Sequence, residues 1–388
     1  MKTTVNQIVD AYADELIQIR RHIHSHPEVA QHEIQTSAFV AQKLGELGID
    51  FKANIGGYGI LAVIKGSLPG KTIALRADMD ALPITEETGL PFASQNVGLM
   101  HACGHDIHIA CLLGVARVLQ NMRQQIKGTV LLVFQPCEES IPGGANLMLR
   151  DGVFADYEPQ MVIAQHVYPE LEVGQFGFHK GEYLASADEV IITCNSKGGH
   201  AALPHLSVDS VLMASQIVVS LQQVCSRFIP AQVPAVLSFG KITCNSAMNI
   251  IPEKVIIDGT LRIMNEDWRF KAHDRIRLIA NSVAQSMGGT CDVNIIVGYP
   301  SLFNNCKLTD TVQRITAELW GEQSVHEVDA RLTAEDFGWF SQKYPSCFFR
   351  LGVGASTGLH TPTFVADERA IAIGTKNMAL IALKLLEN

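Results

Sequence analysis

The stretch Val130–Glu139, VLLVFQPCEE, decides how the rest of the chain is read. Five apolar residues follow Gly128, stop at Pro136, and give way to two adjacent carboxylates. A short, unbroken apolar run bounded by Gly and Pro is the signature of a strand buried on both faces, as in a parallel sheet. Open sheets of that kind place their chemistry just beyond the carboxyl ends of the strands, which is where Glu138 and Glu139 stand. Working outward, Ile60–Ile64, Thr72–Leu75 and Met161–Ala164 repeat the apolar pattern, while Ile107–Leu119 and Ala145–Leu149 have helical spacing. Val5, Ile8, Tyr12, Leu16, Ile19 and Ile23 form one stripe of an opening helix that Pro27 terminates. The alternation predicts an α/β fold with a mixed, largely parallel sheet flanked by helices.

A second style of sequence begins near Ala185. Glu189–Thr193, Ala235–Ile242 and Lys254–Ile263 read as strands, separated by helical stretches at Asp209–Cys225 and Trp268–Met287. That is an α+β pattern of ferredoxin-like size. From about Pro300 apolar strands return at Ser346–Val353, and a helix is expected over Ala370–Leu386. The expected organisation is a discontinuous catalytic domain, 1–184 and 295–388, interrupted by a lid or dimerisation domain at 185–294.

Bulk properties narrow the function. The 388 residues are 47% hydrophobic and 18% charged, and the net charge of -9 is not gathered in blocks of one sign. Nothing there offers a footprint for nucleic acid or an anionic membrane, so a small-molecule partner is expected. No apolar run reaches the roughly 18 residues needed to span a bilayer. Nine cysteines, odd in number and scattered, point to buried thiols in a reducing, cytoplasmic setting.

Residue types that bind metals gather at four of the expected strand ends. His101-Ala-Cys-Gly-His-Asp106 places Cys103 and His105 one residue apart, so both side chains can reach the same ion or pair of ions. Taken alone, a Cys-x-His is as readily a buried thiol beside ordinary histidines. Glu138 and Glu139 follow Val130–Phe134; one carboxylate of such a pair can bind metal while the other faces a substrate water as general base, although a solvated pair opening a helix has the same sequence. His166 follows the run from Met161, and His360 follows Phe348–Val353 and a Gly-rich loop. Each alone fits a hydrogen-bonded loop residue; the set of four favours a metal centre.

These segments, with Arg76-Ala-Asp-Met-Asp-Ala-Leu-Pro83, Gly198-Gly-His-Ala-Ala202, Asn249–Pro252 and Leu359–Pro362, resemble the aminoacylase and carboxypeptidase family of two-metal hydrolases, in particular its branch of hippurate and auxin-conjugate hydrolases. The resemblance implies that Cys103, His105, Glu139, His166 and His360 bind two divalent ions, manganese or zinc. It implies that Glu138 is the general base, activating a water held between the ions, and that Asp80 orients a ligand imidazole. On the lid it implies that His200 reaches the substrate carbonyl, from a second subunit of a homodimer, while Asn249 and Arg262 hold the substrate amide and carboxylate. The branch has Ala before the Glu pair, where this chain has Cys137.

The expected activity is metal-dependent hydrolysis of the amide bond of N-acyl amino acids or related conjugates. Two alternatives remain at this point: a dipeptidase or N-acetyl-diaminopimelate deacetylase of the same chemistry, and a metal-dependent binding protein without turnover.

Overall fold

A computed structural model describes residues 1–355 and 357–387. The chain forms two compact units. The first comprises Met1–Gly181, Phe303–Asp329 and Trp339–Asn388, and the second Glu182–Leu302 and Ala330–Gly338. The segment 330–338 stands with the second unit, where the sequence reading leaves it with the catalytic part. Two backbone hydrogen bonds hold it there, from Ala185 to Thr333 and from Arg331 to Tyr183.

The first unit is built on an eight-stranded sheet. Across it run β1 (Asp50–Ile55), β2 (Gly59–Lys65), β4 (Lys127–Gln135), β3 (Leu68–Asp78), β5 (Val162–Tyr168), then Ser346–Gly352, β6 (Phe176–Phe178) and Val325–Glu327. The central strands β4, β3, β5 and Ser346–Gly352 are mutually parallel, and the antiparallel pairings lie toward the edges. Every residue of β5 and of Ser346–Gly352 is buried, as expected for strands covered on both faces. Helices α1 (Lys2–Ser25) and α3 (His105–Asn121) and the helix Arg369–Glu387 pack into the same core. α3 begins at Gly104, whose φ of 77° is a left-handed conformation that glycine adopts without strain.

The second unit runs β-α-β-β-α-β: Asp188–Asn195, Ser210–Leu221, Ala235–Thr243, Lys254–Ile263, Glu266–Ser286 and Thr290–Val297. Its four strands are antiparallel, in the spatial order second, third, first, fourth. This is the ferredoxin-like arrangement anticipated above. Alternate residues Val190, Ile192 and Cys194 face a core closed by both helices, including Met213, Ile217, Ala272 and Ile276. A two-stranded ribbon pairs Gly199 and His200 with Ile251 and Ile250.

Sequence periodicity located the buried strands and long helices to within a few residues. It passed over α2 (Ile34–Glu46), β1, Cys306–Trp320 and Thr290–Val297. β1 is largely exposed and carries a bulge, so it lacks the apolar run that marked the others.

Candidate metal centre

The carboxyl ends of the central strands converge. β3 ends at Asp78, with Asp80 two residues on; β4 ends at Gln135, three residues before Glu138. His166 lies inside β5 rather than just after it, because that strand extends to Tyr168. Cys103 and His105 come from the turn that opens α3, and His360 comes from the loop after Ser346–Gly352.

Distances bring these groups together. Cys103 Sγ lies 3.5 Å from His166 Nε2. Glu139 Oε1 lies 3.3 Å from His360 Nε2 and 3.9 Å from His105 Nε2. Ligand atoms of Cys103, Glu139 and His360 lie within 4.8 Å of one another, as do those of His105, Glu138 and Glu139. Donors around one ion, with bonds of 2.0–2.3 Å, sit roughly 3.3–3.8 Å apart, so the spacing suits a metal cluster.

Hydrogen bonding fixes which atoms are available. His105 Nδ1 donates to the Asp80 carbonyl at 2.8 Å, and His166 Nδ1 donates to the Val167 carbonyl at 2.8 Å. With Nδ1 so committed in both rings, Nε2 is the atom left to face the cluster and to ligate an ion. His105 Nε2 and Glu139 Oε1 are buried without a hydrogen-bond partner among the described residues. Polar atoms buried in that state are costly unless something binds them, and a cation does. The residues present therefore fit a pair of metal ions.

The electrostatics agree. Burial disfavours the charged form of His105, but Asp78, Asp80 and Glu139 outweigh it and push its pKa up to about 10. That is the field of a site short of positive charge. Burial pushes the Cys103 thiol well up, reinforced by Glu139, Glu138 and Asp78, so its thiolate needs a cation beside it. Burial, then His108 and Arg350, hold the His166 imidazole neutral, the form that ligates.

The role of Asp80 is divided differently from the sequence expectation. Its backbone carbonyl, not its carboxylate, takes the close hydrogen bond from His105; the carboxylate lies 3.5 Å from the same nitrogen. The carboxylate oxygens instead accept the backbone N–H groups of Glu138 and Glu139, each at 2.9 Å. Glu33 Oε1 accepts the preceding N–H, of Cys137, at 2.7 Å. Two acidic side chains thus clamp three successive peptides, and Cys137 occupies a left-handed conformation with φ of 54°. The clamp fixes the backbone from which the two neighbouring carboxylates project.

Sequence reasoning missed Glu33 and His108. His108 was legible in principle, since it lies three residues beyond His105 on the same helix face. Glu33 had no local signal. It is fully buried, and burial, helped by Asp80, pushes its carboxyl up to about 7.

The second unit carries the remaining expected residues. His200 is exposed on the ribbon and accepts the Ala202 N–H, while the Asn249 carbonyl accepts the Ala201 N–H, so the two residues are neighbours. Arg262 is partly buried, its Nε donating to Thr260 Oγ1 at 3.1 Å, and it makes no ion pair among the described residues.

Residues 74–384 match the model of peptidase family M20/M25/M40. The chain belongs to that family. It is 36% identical to an N-acetyl-L-cysteine deacetylase of Bacillus subtilis, covering 96% of this chain and 89% of that one. It is 37% identical to an N-acetyldiaminopimelate deacetylase of Streptococcus sanguinis, covering 92% and 94%. Among solved structures it is similar to a dinuclear metal-binding peptidase of family M20 from Bacillus subtilis, with a TM-score of 0.85, 32% identity and coverage of 97% and 99%. This M20 member is a metal-dependent amidohydrolase with a two-ion centre. Among the described residues, no helix is long and apolar enough to cross a membrane.

Proposed function

We propose that the protein hydrolyses the amide bond of N-acyl amino acids, in the manner of the hippurate and auxin-conjugate hydrolase branch. In this reading Cys103, His105, Glu139, His166 and His360 hold the two ions, manganese or zinc. The observation that carries it is the clamp: Asp80 fixes the peptides of Glu138 and Glu139, which sets Glu139 beside His360 and His105 and keeps Glu138 next to the same cluster, where a general base is needed. When bound, the ions supply Lewis acidity that favours deprotonation of water and polarises the amide carbonyl.

Glu138 takes the proton from the attacking water and returns it to the leaving amine nitrogen. His200 and Asn249 hold the carbonyl and amide of the substrate, and the unpaired Arg262 fork binds its free carboxylate. Burial pushes the Arg262 pKa down from its ordinary value without neutralising it, and a carboxylate is the partner that would offset this cost.

A deacetylase acting on an N-acetyl amino acid is a second reading, favoured by the two deacetylases to which the chain is similar. Release of free amine from N-acetyl-, N-benzoyl- and indole-acetyl-amino acids and from dipeptides, with manganese, zinc and cobalt added in turn, separates the readings. Turnover confined to dipeptides overturns the first.

Two further features belong to this proposal. The helix Ser210–Leu221 has no charged residue, and Val211, Leu212 and Val219 lie exposed on it; a second copy of the chain would cover that face in a homodimer. All nine cysteines are free, which suits a reducing cytoplasm.

A further inference from the structure

His108 sits within ligand reach of Asp78, His105 and His166, yet both of its nitrogens are committed elsewhere. Nδ1 lies 2.5 Å from Asp78 Oδ1, and Nε2 accepts the Val167 backbone N–H at 2.9 Å. Only the tautomer protonated at Nδ1 satisfies both contacts. The ring is buried and lies 4.6 Å, centroid to centroid, from that of His166. Asp78 is anchored in turn by Arg76 NH1 at 2.6 Å, and Arg76 Nε reaches Gln135 Oε1 at 2.8 Å.

The position of this chain of contacts in the sheet gives it a purpose. The parallel pairing of β3 with β5 covers Ala74–Arg76 against Val162–Ala164 and stops there, two residues short of His166. Beyond that point β5 has lost its neighbour on the β3 side. The His108 ring takes over, accepting the N–H of the peptide that joins His166 to Val167, and Asp78 at the end of β3 holds the ring. A side-chain bridge thus replaces the missing backbone ladder where a ligand residue must be placed.

We propose that Asp78 and His108 are a positioning pair for His166: they fix the peptide that carries it and leave His108 itself unable to coordinate. The inference rests on the reading of His166 as a ligand, and goes beyond it in assigning the bridge that aims it. Groups that orient a metal ligand typically alter metal affinity 10- to 100-fold when removed.

The test is chelator competition with manganese and with zinc on purified full-length protein, comparing the parent with His108→Phe, His108→Gln and His166→Ala. Expected is a 10- to 100-fold weaker affinity for one of the two ions in His108→Phe, with the other ion little changed. His108→Gln, whose amide offers both a donor and an acceptor, recovers the affinity to within a few-fold. His166→Ala loses the same ion. If His108→Phe binds both ions as the parent does while His166→Ala loses one, the positioning role is overturned and the ligand reading stands. If His166→Ala also binds both ions normally, both fall. Should His108→Phe not fold, nitrogen-15 NMR of the zinc-loaded parent decides: His108 must be protonated at Nδ1 and bare at Nε2, and a proton on Nε2 overturns the proposal.

Discussion

Each unit of the molecule buries a cluster of charged and imidazole groups, and the two clusters are finished differently. In the second unit Asp188 accepts from Arg269 Nε at 2.9 Å and NH2 at 2.5 Å, from His273 Nε2 at 2.6 Å and from the Gly298 backbone at 3.1 Å. Its carboxylate is saturated by the protein, and with burial opposed by Arg269 and His273 its pKa lies below the ordinary value. In the first unit, His105 Nε2 and Glu139 Oε1 are as deeply buried and have no hydrogen-bond partner among the described residues. One cluster is complete within the chain; the other is complete only with something added. Burial of charge alone therefore does not mark a functional site; several ligand-type groups gathered together with their burial left incomplete point to one.

The contrast can be broken by mutation, starting where the effect is largest. Glu138→Gln should lower kcat by about 10³-fold or more while leaving metal stoichiometry unchanged, as measured by steady-state rates and metal analysis. Near-normal turnover would remove Glu138 as the base. Asp188→Ala, which removes the acceptor shared by buried Arg269 and His273, should cost about 3–5 kcal/mol in urea unfolding and leave the two metal affinities alone.

Chelation should act the other way round. Stripping the ions is expected to lower the stability of the wild type by about 3 kcal/mol for each ion, the linkage expected at a free metal concentration a hundred times Kd. The same treatment should do little to a Glu139→Ala variant. Arg262→Ala should raise KM more than tenfold for substrates with a free α-carboxylate, with a smaller change in kcat; an equal KM would place carboxylate recognition elsewhere.

The smallest effect sharpens the comparison through pH. Glu33 holds its proton more tightly in the folded protein, up to about 7, than in the unfolded chain. Between about pH 4.5 and 7 the unfolded state therefore binds fewer protons, and this group's contribution to stability falls as pH rises through that window. Glu33→Gln should flatten that fall, by on the order of 1–3 kcal/mol between pH 5 and 8. A parallel pH profile for wild type and variant would show that Glu33 does not titrate there.

The sequence made legible whatever depends on composition along one element. The apolar runs within β4, β5 and Ser346–Gly352 announced a doubly covered sheet, and the polar residues at or near their ends announced the site. Contacts set by tertiary packing stayed hidden. Glu33 reaches Cys137 across 104 positions, and His108 reaches Val167 across 59, with nothing in the local pattern to pair them. The division of labour within Asp80, carbonyl to an imidazole and carboxylate to two peptides, follows from the path of the backbone after β3, which residue identity does not encode. The edge strands β1 and Thr290–Val297 were missed because their partly exposed faces carry mixed residues.

His360 is set apart from its four companions: its side chain is 53% exposed, whereas those of His105 and Glu139 are 0% and 13% exposed, and Cys103 and His166 are buried. It also has a left-handed backbone, φ 60°, tied by its N–H to the Ala102 carbonyl beside Cys103. In the proposed cage Cys103, His105 and His166 are buried, Glu139 is partly buried and His360 stands at the solvent boundary, the side from which an ion would enter. Replacing His360 should then quicken the escape of an ion more than it slows capture.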